Sequence, residues 1–182
     1  MGLKIICVAG MPGAGKSVFA SIAKEFSIPV ITMGDAVRVE ASKRGIPQTP
    51  ETLGALMLEL RREEGPEAVA KRCLDLLPEG SKVVVIEGVR SLEELEYFKK
   101  HCNQLHLVAI HASPRTRFER LVARGRPDDP KDWSQFKERD LRELKVGLGS
   151  VIALADIMVV NEGSIDELYA ASRKILEGLL HG

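Results

Sequence analysis

Eight consecutive residues, Gly10-Met11-Pro12-Gly13-Ala14-Gly15-Lys16-Ser17, follow the spacing G-x-x-x-x-G-K-S/T, and the chemistry of that spacing is capture of a polyphosphate. Glycines at 10, 13 and 15 can adopt conformations closed to other residues and place no Cβ in the way, so successive backbone N–H groups can turn inward around an anion. A helix starting near Gly15 would aim its positive end at the same charge. Lys16 can reach β and γ phosphates as a mobile point charge, and the Ser17 hydroxyl suits Mg²⁺. The expected nucleotide-contacting set is Gly10, Pro12, Gly13, Ala14, Gly15, Lys16, Ser17 and Val18.

Three further groups carry candidate chemistry. Asp35 and Arg38 open a helical segment after a short apolar run; a guanidinium fork suits a bidentate grip on phosphate, whereas Asp35 could serve a substrate or simply cap the helix. Glu87 follows Val83-Val84-Val85-Ile86, which puts its carboxylate at a strand tip. There it could hold Mg²⁺ through water or accept a proton from an attacking hydroxyl, and Arg90 could add a second arm to a phosphate. Arg115, Arg117, Arg120, Arg124 and Arg126 crowd one helix and the turn after it, with 117, 120 and 124 at i, i+3 and i+7. Glu138-Arg139-Asp140-Leu141-Arg142 then returns two more guanidinium groups. Arginine-rich helices are commonly solvated surface, but phosphoryl transfer needs little from a protein beyond positive charge arranged around the moving group.

The elements that must position these residues are legible as alternating patterns. Strand-like runs recur at Leu3–Ala9, Pro29–Met33, Lys82–Ile86, Leu105–His111 and Ile157–Val160, separated by amphipathic segments of helical length such as the one from Ser17 to Phe26. The alternation predicts an α/β fold: a five-stranded parallel sheet with helices on both faces, in three layers. Two connections are too long for simple crossovers. The first, Gly34 to Gly80, predicts helices over Asp35–Lys43, Pro50–Glu63 (Thr49 as N-cap, Pro50 at N1) and Pro66–Leu77. The second, Gly125–Ser134, is rich in charge and proline and separates a helix ending near Arg124 from one beginning near Ser134. In open parallel sheets ligands sit beyond the carboxyl ends of the strands, the edge that both excursions leave or approach.

Composition narrows the class. The 182 residues suit a single domain, and 26 Lys plus Arg balance 26 Asp plus Glu, so no global field favours nucleic acid or anionic lipid. Cys7, Cys73 and Cys102 lack metal or disulfide spacing and read as reduced thiols, Cys7 as a small buried residue. His101, His106, His111 and His181 show no ligand spacing either. With no apolar run of membrane-spanning length and no signal-peptide pattern, the expectation is a cytoplasmic protein without membrane or nucleic-acid partners, monomeric or a small homo-oligomer. Trp133 reads as a hinge anchor ahead of a base-stacking platform.

Over nearly its whole length the chain resembles the P-loop nucleoside monophosphate kinases and their relatives, adenylate kinase and dephospho-CoA kinase among them, and most closely an archaeal branch of adenylate-kinase-like proteins. Thr32-Met33-Gly34-Asp35-Ala36-Val37-Arg38 is similar to that family's T-G-D-x-x-R segment, and Glu87-Gly88-Val89-Arg90 resembles its D-G-F-P-R with one residue missing and glutamate for aspartate. The resemblance implies a core (1–33, 81–124, 135–182), an acceptor-binding helical insertion (34–80) and a lid (125–134). By the same resemblance Arg120 and Arg124 stack on the donor adenine and contact its phosphates, Arg139 and Arg142 close on the transferring group, and the loop at Asn161 lies under the base. Asp35, Arg38 and Arg90 would then bind the acceptor; Lys16, Arg124, Arg139, Arg142 and Glu87 would be catalytic, with Ser17 and Glu87 at the metal. The expected activity is ATP- and Mg²⁺-dependent transfer of the γ-phosphoryl group to a small acceptor, foremost a nucleoside monophosphate. The alternatives are a hydroxyl acceptor, for which Glu87 or Asp35 would supply a base, and a regulatory ATPase. A GTPase is disfavoured because no N-K-x-D motif follows the later strands.

Overall fold

Each strand of the sheet runs parallel to its neighbours, and the central strands Lys4–Ala9 and Val83–Glu87 are covered on both faces, whereas the edge strand Ile157–Val160 leaves Met158 and Val160 exposed. The computed structural model describes residues 2–126 and 129–181. In chain order it contains β1 (Lys4–Ala9), α1 (Lys16–Glu25), β2 (Val30–Thr32), α2 (Met33–Lys43), α3 (Pro50–Glu64), α4 (Ala68–Asp75) and β3 (Val83–Glu87). There follow α5 (Leu92–Lys100), β4 (Gln104–His111), α6 (Pro114–Arg124), α7 (Trp133–Val146), α8 (Leu148–Ala153), β5 (Ile157–Val160) and α9 (Ile165–His181). The strand order is β2-β3-β1-β4-β5, all parallel, as the alternating pattern predicts.

Side chains alternate across β1 with the period of two that a strand imposes. Ile5, Cys7 and Ala9 pack with Val84 and Ile86 of β3 against α2, α3, α4, α5 and α8. Ile6 and Val8 pack on the opposite face with Val85, Val108 and Ile110 against Phe19 and Ile22 of α1 and Leu168 and Leu176 of α9. Fully burying side chains of this size contributes roughly 1.5–3 kcal/mol each, and both faces are thereby supplied. The result is three layers with one helical stack on each side of the sheet.

Helix ends follow local chemistry. Thr49 caps α3 through a reciprocal capping box with Thr52, and proline stands in its first turn, as expected. Ser113 caps α6, Asp132 caps α7 and Ser91 caps α5. Two helices shift from their expected bounds. The helix predicted over Pro66–Leu77 is confined to Ala68–Asp75, and α2 starts at Met33, two residues before the predicted Asp35. The second shift has a clear cause: the Thr32 hydroxyl accepts the Asp35 N–H at 2.9 Å, so Thr32 is the cap and Asp35 lies in the first turn. Pro127 and Asp128, within the expected lid 125–134, lie outside the described residues.

β1 lies between β3 and β4. The chain leaves β1 toward one half of the sheet and leaves β4 toward the other, and the open space at the carboxyl edge is bordered by the glycine loop after β1, the ends of β2 and β3, and Arg124 of α6.

Candidate active site

The loop 10–15 closes tightly because its glycines tolerate what other residues would not. Gly13 has φ +81° and Gly15 φ +108°. A Cβ on Gly15 would sit 2.6 Å from Asn161 Nδ2 and 2.8 Å from Leu168 Cδ2, and one on Gly13 would sit 2.8 Å from the Arg117 carbonyl oxygen. Gly15 is the N-cap of α1 and supplies no side-chain hydrogen bond, which leaves the first N–H groups of the helix to an outside acceptor. Ser17 is exposed on the cleft wall, while Val18 packs on the core and could contribute only its backbone.

Sequence-distant residues brace the loop. Asn161 Nδ2 donates to the Ala14 carbonyl at 2.8 Å, and Asn161 in turn accepts Arg120 at its own carbonyl at 3.1 Å. Arg120 and Asn161, both expected at the donor base, thus tie the loop after β5 to the glycine loop. Glu162 beside them accepts from the Ser113 N–H and from Thr116 Oγ1, fixing the start of α6; the Thr116 contact foremost holds its carboxyl below the usual carboxylate range.

The three arginines read as one face of α6 part company. Arg117 and Arg124 do share a side, but two turns apart, about 10 Å along the axis. Arg117 is buried; it donates to Pro12 O at 3.2 Å and Ala112 O at 3.1 Å, makes a bidentate pair with Asp140 at 2.8 and 2.6 Å, and stacks 4.9 Å from the Phe136 ring centre. Arg120 turns to the β5 loop. Arg124 reaches the cleft. Arg115 pairs with Glu119 on the surface.

Gly10, Pro12, Gly13, Lys16 and Ser17 form one wall of a cleft of about 410 Å³ whose opposite wall carries Thr32, Asp35, Arg38, Val89 and Arg90, with Arg124, Arg126, Arg139 and Glu143 bordering it. Glu87 is central by register: Val8 of β1 faces it on one side and Thr32 of β2 on the other, and the Gly88 N–H bonds Val8 O at 2.9 Å. Asp35 and Arg38 pair at 2.8 Å, both about half exposed. A second depression continues from Gly15 and Lys16 along Arg120, Leu121 and Arg124.

Arg142 departs from the expectation. It faces an outer depression with Asp129, Lys131, Gln135 and Glu138, because it lies about 60° round α7 from Arg139 on the side away from Glu143. Two participants escaped the sequence reading. Glu143 enters the cleft and approaches Arg90 Nε at 3.4 Å; buried Glu94 accepts the Arg90 N–H at 2.9 Å and Arg61 Nη2 at 2.5 Å, linking α3 to the loop after β3. The only sequence signal for either was the S-x-x-E capping pattern at Ser91-Leu92-Glu93-Glu94. Trp133 stacks on Phe136 at 5.0 Å and meets Phe118 edge-on at 5.2 Å, an aromatic anchor at the start of α7.

The donors present suit Mg²⁺: the Ser17 hydroxyl and the Glu87 carboxylate border one space, and Mg²⁺ bound with nucleotide phosphates requires only one or two protein oxygens. No cluster of three or more acidic, histidine or cysteine ligands occurs among the described residues.

Lys16 Nζ donates to Gly10 O at 2.7 Å. Burial pulls its pKa down to about 8; Glu87 and Glu143 oppose the shift, while Arg90 and Arg139 add to it. A polyphosphate would restore the ammonium. ATP affinity should therefore be full below about pH 8 and weaken by up to about tenfold per unit as the free protein loses this proton above it. Calorimetric titrations near pH 7 and pH 9.5, in buffers of different ionisation heat, should show proton uptake on binding only at the higher pH.

The AAA domain family matches residues 9–137. A UPF0200 protein of the archaeon Hyperthermus butylicus is 52% identical over 176 residues, covering 96% of this chain and 94% of that protein. Among solved structures, a shikimate kinase from Bacteroides thetaiotaomicron aligns over 100% of both chains with TM-score 0.65 and 19% identity. A gluconokinase from Sinorhizobium meliloti aligns over 98% of this chain and 95% of its own with TM-score 0.57 and 21% identity. At these identities the likeness establishes a shared P-loop kinase fold.

Proposed function

The chain belongs to the UPF0200 family and carries an AAA domain, and on that footing we propose that it is an ATP- and Mg²⁺-dependent phosphotransferase of adenylate-kinase type, acting on a nucleoside monophosphate. The observation that carries the reading is the two-sided cleft: a phosphate cradle on one wall, Arg38 and Arg90 on the other, and Arg124 and Arg139 bordering the space between. A hydrolase needs only the first wall.

In this reading the glycine loop and the α1 N-terminus hold the donor phosphates, and Lys16 follows the charge that develops on the γ-phosphoryl group. Arg38 and Arg90 seat the acceptor's phosphate in line with it. Mg²⁺, held by Ser17 and Glu87, would neutralise charge on the donor's phosphates. Closure of the segment after α6 would keep out water, the competing acceptor. A second reading, a hydroxyl acceptor, is favoured by the carboxylates of Asp35, Glu87 and Glu143 in the cleft, which suit hydroxyl donors and a base.

The test is a γ-labelled ATP assay with Mg²⁺ and a panel of nucleoside monophosphates and hydroxyl compounds. Label should pass to a monophosphate, and Arg38→Ala should raise the acceptor KM roughly 10- to 100-fold while sparing that for ATP. Transfer only to hydroxyls would select the second reading. Label released as phosphate regardless of acceptor would reject both in favour of a regulatory ATPase.

A further inference from the structure

Asp129 lies between α6 and α7 with 2% of its side chain exposed, and it lines neither the cleft nor the depression beside Arg120. Its carboxylate receives Arg124 Nε at 2.9 Å and Nη2 at 2.5 Å, the Arg126 N–H at 3.0 Å and Arg139 Nη1 at 3.4 Å. The Arg124 bonds foremost hold its pKa below the ordinary aspartate value, so it is anionic across the neutral range. Its own N–H donates to Arg126 O at 2.9 Å. Arg124 and Arg139 come from different helices, yet both border the cleft with the carboxylate behind them.

The electrostatics call for such a group. Lys16, Arg38, Arg90, Arg124, Arg126 and Arg139 bring six cations to the cleft against the three carboxylates of Asp35, Glu87 and Glu143, and long guanidinium side chains left unheld there would repel one another and sample many rotamers. An anion outside the cleft offsets the repulsion and fixes the rotamers without occupying the space a phosphoryl group would take. An inhibitory latch would put its carboxylate on the cleft side instead; Asp129 borders the outer depression with Lys131, Gln135 and Arg142.

We propose that Asp129 is a positioning residue: it holds Arg124 and Arg139 aimed into the cleft, so that both meet the donor's γ-phosphoryl group already ordered. The inference rests on the reading that these two arginines act on that group. Asp129→Asn keeps the size and an oxygen for the Arg126 N–H while losing the charge; Asp129→Glu keeps the charge.

The probes are ADP and adenylyl imidodiphosphate, each with Mg²⁺, titrated calorimetrically against the full chain, with a thermal melt of every variant. Asp129→Asn should weaken the triphosphate analogue about tenfold and ADP less than about twofold, and Asp129→Glu should recover part of the loss. Unchanged or tighter binding of the analogue would overturn the proposal, the latter in favour of a latch. Equal weakening of both ligands with a lowered melting temperature would also overturn it, since that marks a purely structural role. Arg124→Ala and Arg139→Ala separate the levels: if neither variant reduces the preference for the analogue over ADP, the reading of the arginines fails, and if they do while Asp129→Asn does not, only the positioning role fails.

Discussion

Lys16→Ala should lower turnover roughly 10²- to 10³-fold, equivalent to about 3–4 kcal/mol, with the fold intact. The size follows from where the charge is spent. An ammonium aimed at the γ-phosphoryl group counts most when negative charge peaks there, so its loss falls on kcat and kcat/KM together. The intact fold follows from the cost of keeping the ammonium in place: burial holds the Lys16 pKa down to about 8, so below that pH the folded chain carries a proton its surroundings disfavour. Alanine removes that charge and breaks only bonds to loop carbonyls, chiefly Gly10 O. Melting temperatures at pH 7 should therefore match or exceed those of the parent. Near-normal turnover would remove the glycine loop from the chemistry.

Arg117→Leu should produce the largest loss of stability, about 3 kcal/mol, because it leaves Asp140 largely buried without its bidentate partner. For a chain of this length that amounts to a fall of roughly 6–12 °C in melting temperature. Arg117 also holds Pro12 O, so ATP should bind more weakly to whatever remains folded. Replacing both members, Arg117→Leu with Asp140→Leu, should restore much of the stability while leaving the ATP defect, which a thermal melt paired with an ATP titration would reveal. If the double variant melts as low as the single, the buried charge is not the cause.

These two residues mark the boundary of what could be read in advance. Lys16 is announced by its neighbours in sequence, since a phosphate cradle is a local object and its spacing is its geometry. The strands are local in the same sense: Val83-Val84-Val85-Ile86 has no polar alternation because both of its faces are covered. Arg117 was legible only as one of several arginines at helical spacing. Its partner is 23 residues away, across the α6–α7 connection, and no periodicity predicts which guanidinium turns inward. Arg120 is similar: its partners follow β5, so its engagement with Asn161 depends on strand order, a tertiary property. Glu143 and Asp129 went unread for the same reason, since acidic residues on a charged helix or in a charged turn look like solvated surface until the helices are docked.

The docking of α7 has a consequence for how two ligands would perceive each other. Phe136, Arg139, Asp140 and Glu143 share one face of that helix, and through them it touches the Arg117 that braces the glycine loop, borders the cleft itself, and approaches the Arg90 of the opposite wall. A shift of α7 would therefore reach residues on both walls. If one ligand sits against the glycine loop and another against the opposite wall, a ligand that displaces α7 from one side also displaces groups that face the other. Any change the first then makes in affinity for the second would be the same factor in either order of binding.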